Sequence, residues 1–483
     1  MFTRRGLAFA AASVIAARSF GAGAQSAGPR IRRDVADLRD GDPFFTKYAA
    51  AVSAMHALPE SDGRNWRRQA RIHADSCKHG DLNFLFWHRH YLAFFEGICG
   101  QLVGDASFTL PYWNWSKKGG VLPPAFYDLP GLNVETWNDP GQYSTSNWGP
   151  IDTVGRRGLR KGQGLLNDPV RGGSFQASAI DGIKRMPTAD LFRGRLEGSP
   201  HNNGHVVVGA TASGKGGHMG SGLSPLDPIF WLHHCMVDRI WAEWQEAGNA
   251  TPDPAIAYAG EFVTATGATA TATTAQAMRT ASLGYTYDVL QRPTGPIPPA
   301  SPTLRSTSLD LDRALRERAA PVALGTATAT SASNPLVETA IKVATPGLVG
   351  ALTGDRAFRE LSLGADPSVN VEGRRVLARF TNVVPPEGRR DLIVNVFVNC
   401  PYLSPEIGYN DPHYGGTFSF FNAGHQGHGS EFVVDLTSAV RNLSQEGRIR
   451  TEELTVQLMP VPAYMEGTSS GTFKAGAVEI LVV

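Results

Sequence analysis

The chain has 483 residues, 42 % of them hydrophobic, and its 45 basic and 44 acidic side chains leave a formal net charge of +1. That near balance excludes the strongly basic surface that nucleic acid or an anionic membrane would select. Four cysteines are too few for a disulfide scaffold of this size, and the length suggests two or three domains of about 100–200 residues each.

In chain order, residues 1–24 read as an export signal. Thr3-Arg4-Arg5 supplies a basic start with a twin arginine, an apolar run follows from Leu7 to Ala17, and Ala22-Gly23-Ala24 offers a small-residue cleavage site. The run is shorter than the ~20 residues that span a bilayer. The expected mature protein begins near Gln25 and is periplasmic or secreted, exported folded by a twin-arginine route. Residues 25–262 hold all nine tryptophans and ten of the thirteen histidines. Phe44, Phe45, Tyr48, Val52 and Met55 recur at helical steps and predict a helix over 42–58, stopped by Pro59. Shorter helices are expected over 65–73 and 88–102, and another from Asp227-Pro228 through Trp244. Gly, Pro and Asn between 114 and 194 suggest long loops. Ala/Thr- and Pro-rich stretches make 263–345 a linker. Beyond it, β-branched runs such as 392–398 and 453–458 predict a β-rich domain over 346–483.

The chemistry lies in three histidine clusters: His73, Cys77 and His79 with His88 and His90; Glu197, His201, Asn202 and His205; and Asp227 through His233, His234 and Asp238. Histidines at i and i+4, as in His201 and His205, share a helix face and can grip one ion. Imidazole suits Cu, Zn, Fe or Ni, so the histidine count does not choose the metal.

The particular strings do. Asp227-Pro228-Ile229-Phe230-Trp231-Leu232-His233-His234 with Asp238, the His79-to-His88 spacing with Phe86-Trp87-His88-Arg89, and Pro111-Tyr112-Trp113-Asn114-Trp115 resemble the copper signatures of the tyrosinase, catechol oxidase and hemocyanin superfamily. The resemblance implies a mainly α catalytic domain, a four-helix bundle with long loops holding two copper ions, over 25–262. It implies His73, His79 and His88 as copper A ligands, and His201, His205 and His234 as copper B ligands. A helix turns about 100° per residue, so His233 points away from His234 and His90 away from His88. His56 is the alternative to His73. Cys77, two residues before His79, resembles the cysteine that fungal relatives join to the ligand imidazole as a thioether. Glu197 matches the glutamate that orients a water near the coppers, and Asn202 a position tied to phenol deprotonation. Where plant relatives carry a gate phenylalanine, the 219–223 segment is one residue shorter and small, which leaves the substrate entrance open. The tail, through strings such as 416–421, resembles the plant-type C-terminal domain that can act as a lid, with aromatic and histidine residues between Phe418 and His428 looking exposed enough to plug the pocket. Gly424-His425 with His428 reads as a flexible turn in preference to a metal site.

The expected activity is oxidation of a small phenolic substrate by O2: ortho-hydroxylation of monophenols and conversion of o-diphenols to o-quinones. A catechol or o-aminophenol oxidase without hydroxylase activity is the alternative enzyme. A hemocyanin-like O2 carrier is the alternative of another class. The oligomeric state is left open.

Overall fold

The structure, a computed structural model, describes residues 28–137, 142–145, 148–211, 216–290, 322–328, 339–345, 348, 375–384, 392–421, 430–449, 453–463 and 476–482. The expected export signal, the middle of the expected linker and the 424–428 turn lie outside them.

The N-terminal part is helical. Helix α1 (Pro43–Ala57) starts where Asp42 accepts the Phe44 N–H and Pro43 takes the first turn. Helix α2 (Trp66–Ser76) is capped by Asn65, whose side chain accepts from the Arg67 and Arg68 amides. Helix α3 (Asn83–Leu102) begins five residues before the expected start, because Asp81 accepts the Asn83 N–H and closes the first turn. His88 therefore sits inside a helix and not at its end. After the short α4 (Ala125–Asp128), α5 (Ala177–Lys184) and α6 (Ala189–Leu196), a π-helical turn at Glu197–His201 leads into α7 (Asn202–Gly209), and α8 (Ile229–Glu246) runs almost wholly buried.

Short strands clasp this unit. Strand β1 (Arg30–Arg32) pairs in parallel with β6 (Tyr285–Tyr287). Between them Arg32, wholly buried, makes 2.8 Å bonds to both oxygens of Glu96 on α3 and a 3.2 Å bond to Asp238 on α8. Asp238 also binds Arg89 and accepts from the hydroxyls of Tyr285 and Tyr287 at 2.6 Å. Removing one partner of a buried ionic cluster leaves charge uncompensated and costs about 3–5 kcal/mol. Asp238→Ala is therefore expected to lower the stability of the folded protein by that amount in chemical denaturation. A loss under ~1 kcal/mol would show that Glu96 alone neutralises the two arginines.

Two parts of the expected linker are structured. The Ala/Thr-rich run after Val263 is the turn and second strand of a hairpin, β4 (Ala257–Val263) with β5 (Thr269–Thr273). Threonine favours strands, and small alanines allow close packing: Ala272 is buried, and Ala265 lies over Gly97 of α3. The helical unit thus closes at Tyr287 and not near 262. At the other end, β7 (Val322–Thr328) and β8 (Thr339–Ala344) belong to the C-terminal sheets.

The C-terminal part is two four-stranded antiparallel sheets, ordered β11-β10-β13-β8 and β12-β9-β14-β7. The strands are β9 (Val376–Val383), β10 (Leu392–Val398), β11 (Tyr414–Ser419), β12 (Ser430–Asp435), β13 (Glu453–Pro462) and β14 (Ala477–Val482), with helix α9 (Thr437–Gln445) beside them. Strand β10 shows how this unit sits on the helical one. Leu392, Val394, Val396 and Val398 enter the core between the sheets, while Ile393 and Phe397 join the core of the helical part. That is the period-2 alternation of a strand buried on both faces. Polar contacts reinforce the junction: Asn395 donates to the Val170 carbonyl at 2.9 Å, and Arg171 to the Pro462 carbonyl at 2.6 Å. No helix among the described residues is long and apolar enough to cross a membrane.

Candidate metal centre

Six histidines from six neighbouring stretches of the helical unit reach one place. His73 comes from the last turns of α2, His79 from the segment joining α2 to α3, and His88 from α3; His201 ends the π-turn, His205 lies on α7 and His234 on α8. His73, His79 and His88 form one cluster, with ring centroids 5.2–5.9 Å apart. His201, His205 and His234 form a second, at 4.6–5.5 Å. The clusters abut: the rings of His88 and His234 stack at 4.4 Å and 9°.

The hydrogen bonds fix which nitrogen of each ring faces inward. His73 donates Nδ1–H to the Gly222 carbonyl at 2.7 Å, and His88 to the Phe84 carbonyl at 2.8 Å. His79 places Nδ1 at 3.1 Å from Glu197 Oε1. His201 directs Nδ1 at Asn202 Oδ1 (2.9 Å), and His205 directs it at the Met219 carbonyl (2.9 Å). A neutral imidazole has one N–H, so each Nε2 in these five rings carries a bare lone pair. In the second cluster Nε2 of His205 lies 3.2 Å from that of His201 and 3.3 Å from that of His234. The bare lone pairs of His201 and His205, facing each other at 3.2 Å, repel unless a cation lies between them. In the first cluster, buried Nε2 of His73 and of His88 has no hydrogen-bond partner. Such atoms are costly unless ligated. The ligand atoms of each cluster lie within 4.8 Å of one another. Burial also holds the rings neutral, lowering His73 and His201 to about 4 and His88, His205 and His234 well below the usual imidazole value. The donor set fits two metal ions held by imidazole nitrogens.

The neighbouring histidines differ. His233 lies within ligand distance of the second cluster, but its Nε2 is 3.1 Å from the His201 carbonyl and donates there. Its Nδ1 faces the α7 backbone at Gly204, where an added Cβ would lie 2.8 Å away. His90 pairs with the Thr273 carbonyl at 2.8 Å. His56 packs on Trp66 and Trp137, away from His79 and His88.

Glu197 and Asn202 are both at the site. The Glu197 carboxylate binds His79, the Gly80 N–H at 2.9 Å and Arg193 at 2.9 Å. Asn202 joins His201 to the tail, its Nδ2 lying 3.4 Å from the Ser419 carbonyl. Cys77 is buried at the C-cap of α2, and burial pushes its thiol up to about 12.

Trp148 was not placed at the site by sequence reasoning, and Phe421 was placed only within the Phe418–His428 stretch expected to plug the pocket. Phe421, just past β11, stacks on His205 with ring centroids 3.8 Å apart and planes 7° apart. The tail aromatics that look exposed in sequence are in fact buried, Phe418, Phe420 and Phe421 alike, because the helical unit and the second sheet cover them. Trp148 lies beside Phe421 at 5.4 Å. The tail string did not single out Phe421 among its aromatics, and Trp148 belongs to no pattern readable in sequence.

A helical core with two histidine triads and an apposed β-sandwich defines a dinuclear metalloprotein with a covered centre. The common central domain of tyrosinase matches residues 50–247. The tyrosinase of Streptomyces antibioticus is 33 % identical over 229 residues, 43 % of this chain and 75 % of that protein. The (+)-larreatricin hydroxylase of Larrea tridentata is 31 % identical over 251 residues, 45 % of this chain and 42 % of that protein. The chain thus spans less than half the length of this plant relative. The structure of latent apple tyrosinase shares the fold, with a TM-score of 0.60, 20 % identity, and coverage of 95 % of this chain and 98 % of that one. The chain belongs to the tyrosinase family, which binds a dinuclear copper centre.

Proposed function

We propose that the protein oxidises small phenols with O2 at a dicopper site, with His73, His79 and His88 holding one ion and His201, His205 and His234 the other. The observation that carries this is the approach of the bare Nε2 atoms of His201 and His205 to 3.2 Å in a buried site where the His234 ring joins them. When bound, the coppers supply O2 binding and the two-electron oxidation. The chain's own groups do the rest. Carbonyls at Gly222, Phe84 and Met219 orient three rings, and Glu197 and Asn202 orient two more. Glu197 is also our candidate to hold a water that takes the phenol proton, with Asn202 the second polar group beside it. We assign both ortho-hydroxylation of monophenols and oxidation of o-diphenols to this site. The test is copper content and O2 uptake with one monophenol and one catechol. Two coppers and uptake with both are expected. Uptake with catechol alone would make the protein a catechol oxidase, and reversible O2 binding without turnover would make it a carrier. The N-terminal twin arginine supports export of the folded, metal-loaded protein.

Cys77, two residues from His79, is proposed to carry the thioether to that ring. Joining the sulfur to a carbon of the ring removes two hydrogens, so the link needs a two-electron oxidant, which O2 at the dicopper site would supply; burial means that the sulfur enters the reaction as a thiol. Copper-matured protein should yield a Cys77–His79 peptide lighter by two hydrogens, and zinc-loaded protein an unlinked one. A Cys77 that alkylates freely in active enzyme would rule the link out.

The sandwich is proposed to be a lid, with Phe421 as its plug. Its seat over His205 is where a flat aromatic ring fits against the second cluster.

A further inference from the structure

Sequence comparison leaves the entrance beside residues 219–223 open, since that segment is short and made of small residues. In the structure the space is filled from elsewhere. Trp148, the residue before strand β3 (Gly149–Asp152), lays its indole directly on Gly222. A Cβ added at Gly222 would lie 2.5–2.6 Å from three atoms of the indole ring, so the absence of a side chain there is what admits the tryptophan. The same Gly222 holds His73 through its carbonyl. The indole lies near the Cys77 thiol, and the Trp148 amide donates to Thr145 Oγ1 at 3.2 Å. The side chain is thereby held between Gly222 and Phe421, and the residue is only 8 % exposed.

Phe421 marks where an aromatic ring can lie. One side of its ring meets His205 in a parallel stack at 3.8 Å, and Trp148 stands 5.4 Å away, inclined by 55°. A ring that takes the place of Phe421 is bounded by an imidazole below and an indole at the side. From this juxtaposition we propose that Trp148 is a specificity-determining residue of the opened site: it clasps flat single-ring phenols against His205 and turns away fused or multi-ring phenols. The inference rests on the phenol-oxidising role proposed above. It assigns the selectivity to a loop residue remote in sequence from every histidine of the centre.

An aromatic pair contributes about 0.5–1.5 kcal/mol beyond area burial, or roughly two- to tenfold in affinity. The test uses the full-length, copper-loaded protein with Phe421→Ala as parent, so that the site is vacant. Trp148→Ala and Trp148→Phe are built on it. Two readouts are taken: calorimetric affinity for benzoate, a flat single-ring ligand that does not react, and the ratio of kcat/KM for a fused-ring phenol over catechol. Trp148→Ala should weaken benzoate binding by up to about tenfold, raise KM for catechol with kcat little changed, and move the ratio toward the larger phenol by a similar factor. Trp148→Phe should restore most of the benzoate affinity. Unchanged benzoate affinity and ratio, with two coppers still bound, would overturn the proposal. Loss of copper in Trp148→Ala would also overturn it, showing that the indole acts through Cys77 and His79. A parent that binds benzoate in a Trp148-dependent way yet oxidises no phenol would instead refute the proposed function and leave the aromatic clasp standing.

Discussion

His234→Ala is expected to leave at most one firmly held copper per chain and to abolish phenol oxidation, whereas His233→Ala should keep two coppers and activity. The two residues are adjacent on α8, yet their rings serve different purposes. Nε2 of His234 faces His205 Nε2 at 3.3 Å, and its ring stacks on His88 across the two clusters. Removing it deletes a proposed metal donor and a contact that joins the clusters. Nε2 of His233 is committed to the His201 carbonyl, and its ring packs on Trp115 and Gly204. Its loss leaves a buried carbonyl unsatisfied, at about 1–3 kcal/mol of stability. Copper analysis and catechol oxidation on the purified variants decide the matter. A copper-depleted His233→Ala beside an active His234→Ala would mean that the neighbouring ring is the ligand.

Phe421→Ala in the full-length protein should raise turnover of simple phenols by tenfold or more at low substrate, mainly through KM. A buried phenylalanine ring contributes about 1.5–3 kcal/mol relative to exposure, and here that ring lies over His205. The tether holds it at an effective concentration on the order of mM, so a free phenol must compete with a permanent occupant. Shortening the side chain frees the seat without undocking the tail, which favours small rings. Cutting the chain between the two units and separating the tail should extend the gain to single-ring phenols with bulky side chains. Unchanged kinetics in Phe421→Ala, or loss of copper when the tail is removed, would show that the sandwich supports the centre and does not cover it.

The histidine triads were legible in sequence because helical spacing and flanking aromatics are local patterns; so were α1, α2 and α8, whose apolar residues recur every three or four positions. The start of α3 was not: Asp81, just ahead of the helix, accepts the Asn83 N–H, and such a turn leaves no mark in the periodicity before His88. The run after Val263 was misread because Ala and Thr serve a flexible linker and a close-packed hairpin equally well. The carbonyls that hold His73, His88 and His205 come from Gly222, Phe84 and Met219. Every residue has a carbonyl, so composition cannot reveal which ones are used. Phe421 and Trp148 reach the site only through tertiary packing.

One short segment carries a further consequence. Met219 holds His205 of one cluster, and Gly222, three residues on, holds His73 of the other. A single backbone stretch therefore sets the ring angle of one donor in each site. A change in this stretch is therefore expected to disturb both clusters at once: a residue inserted between Met219 and Gly222 should lower the copper content of both positions, whereas copper lost from one position alone would show that the two carbonyls act independently.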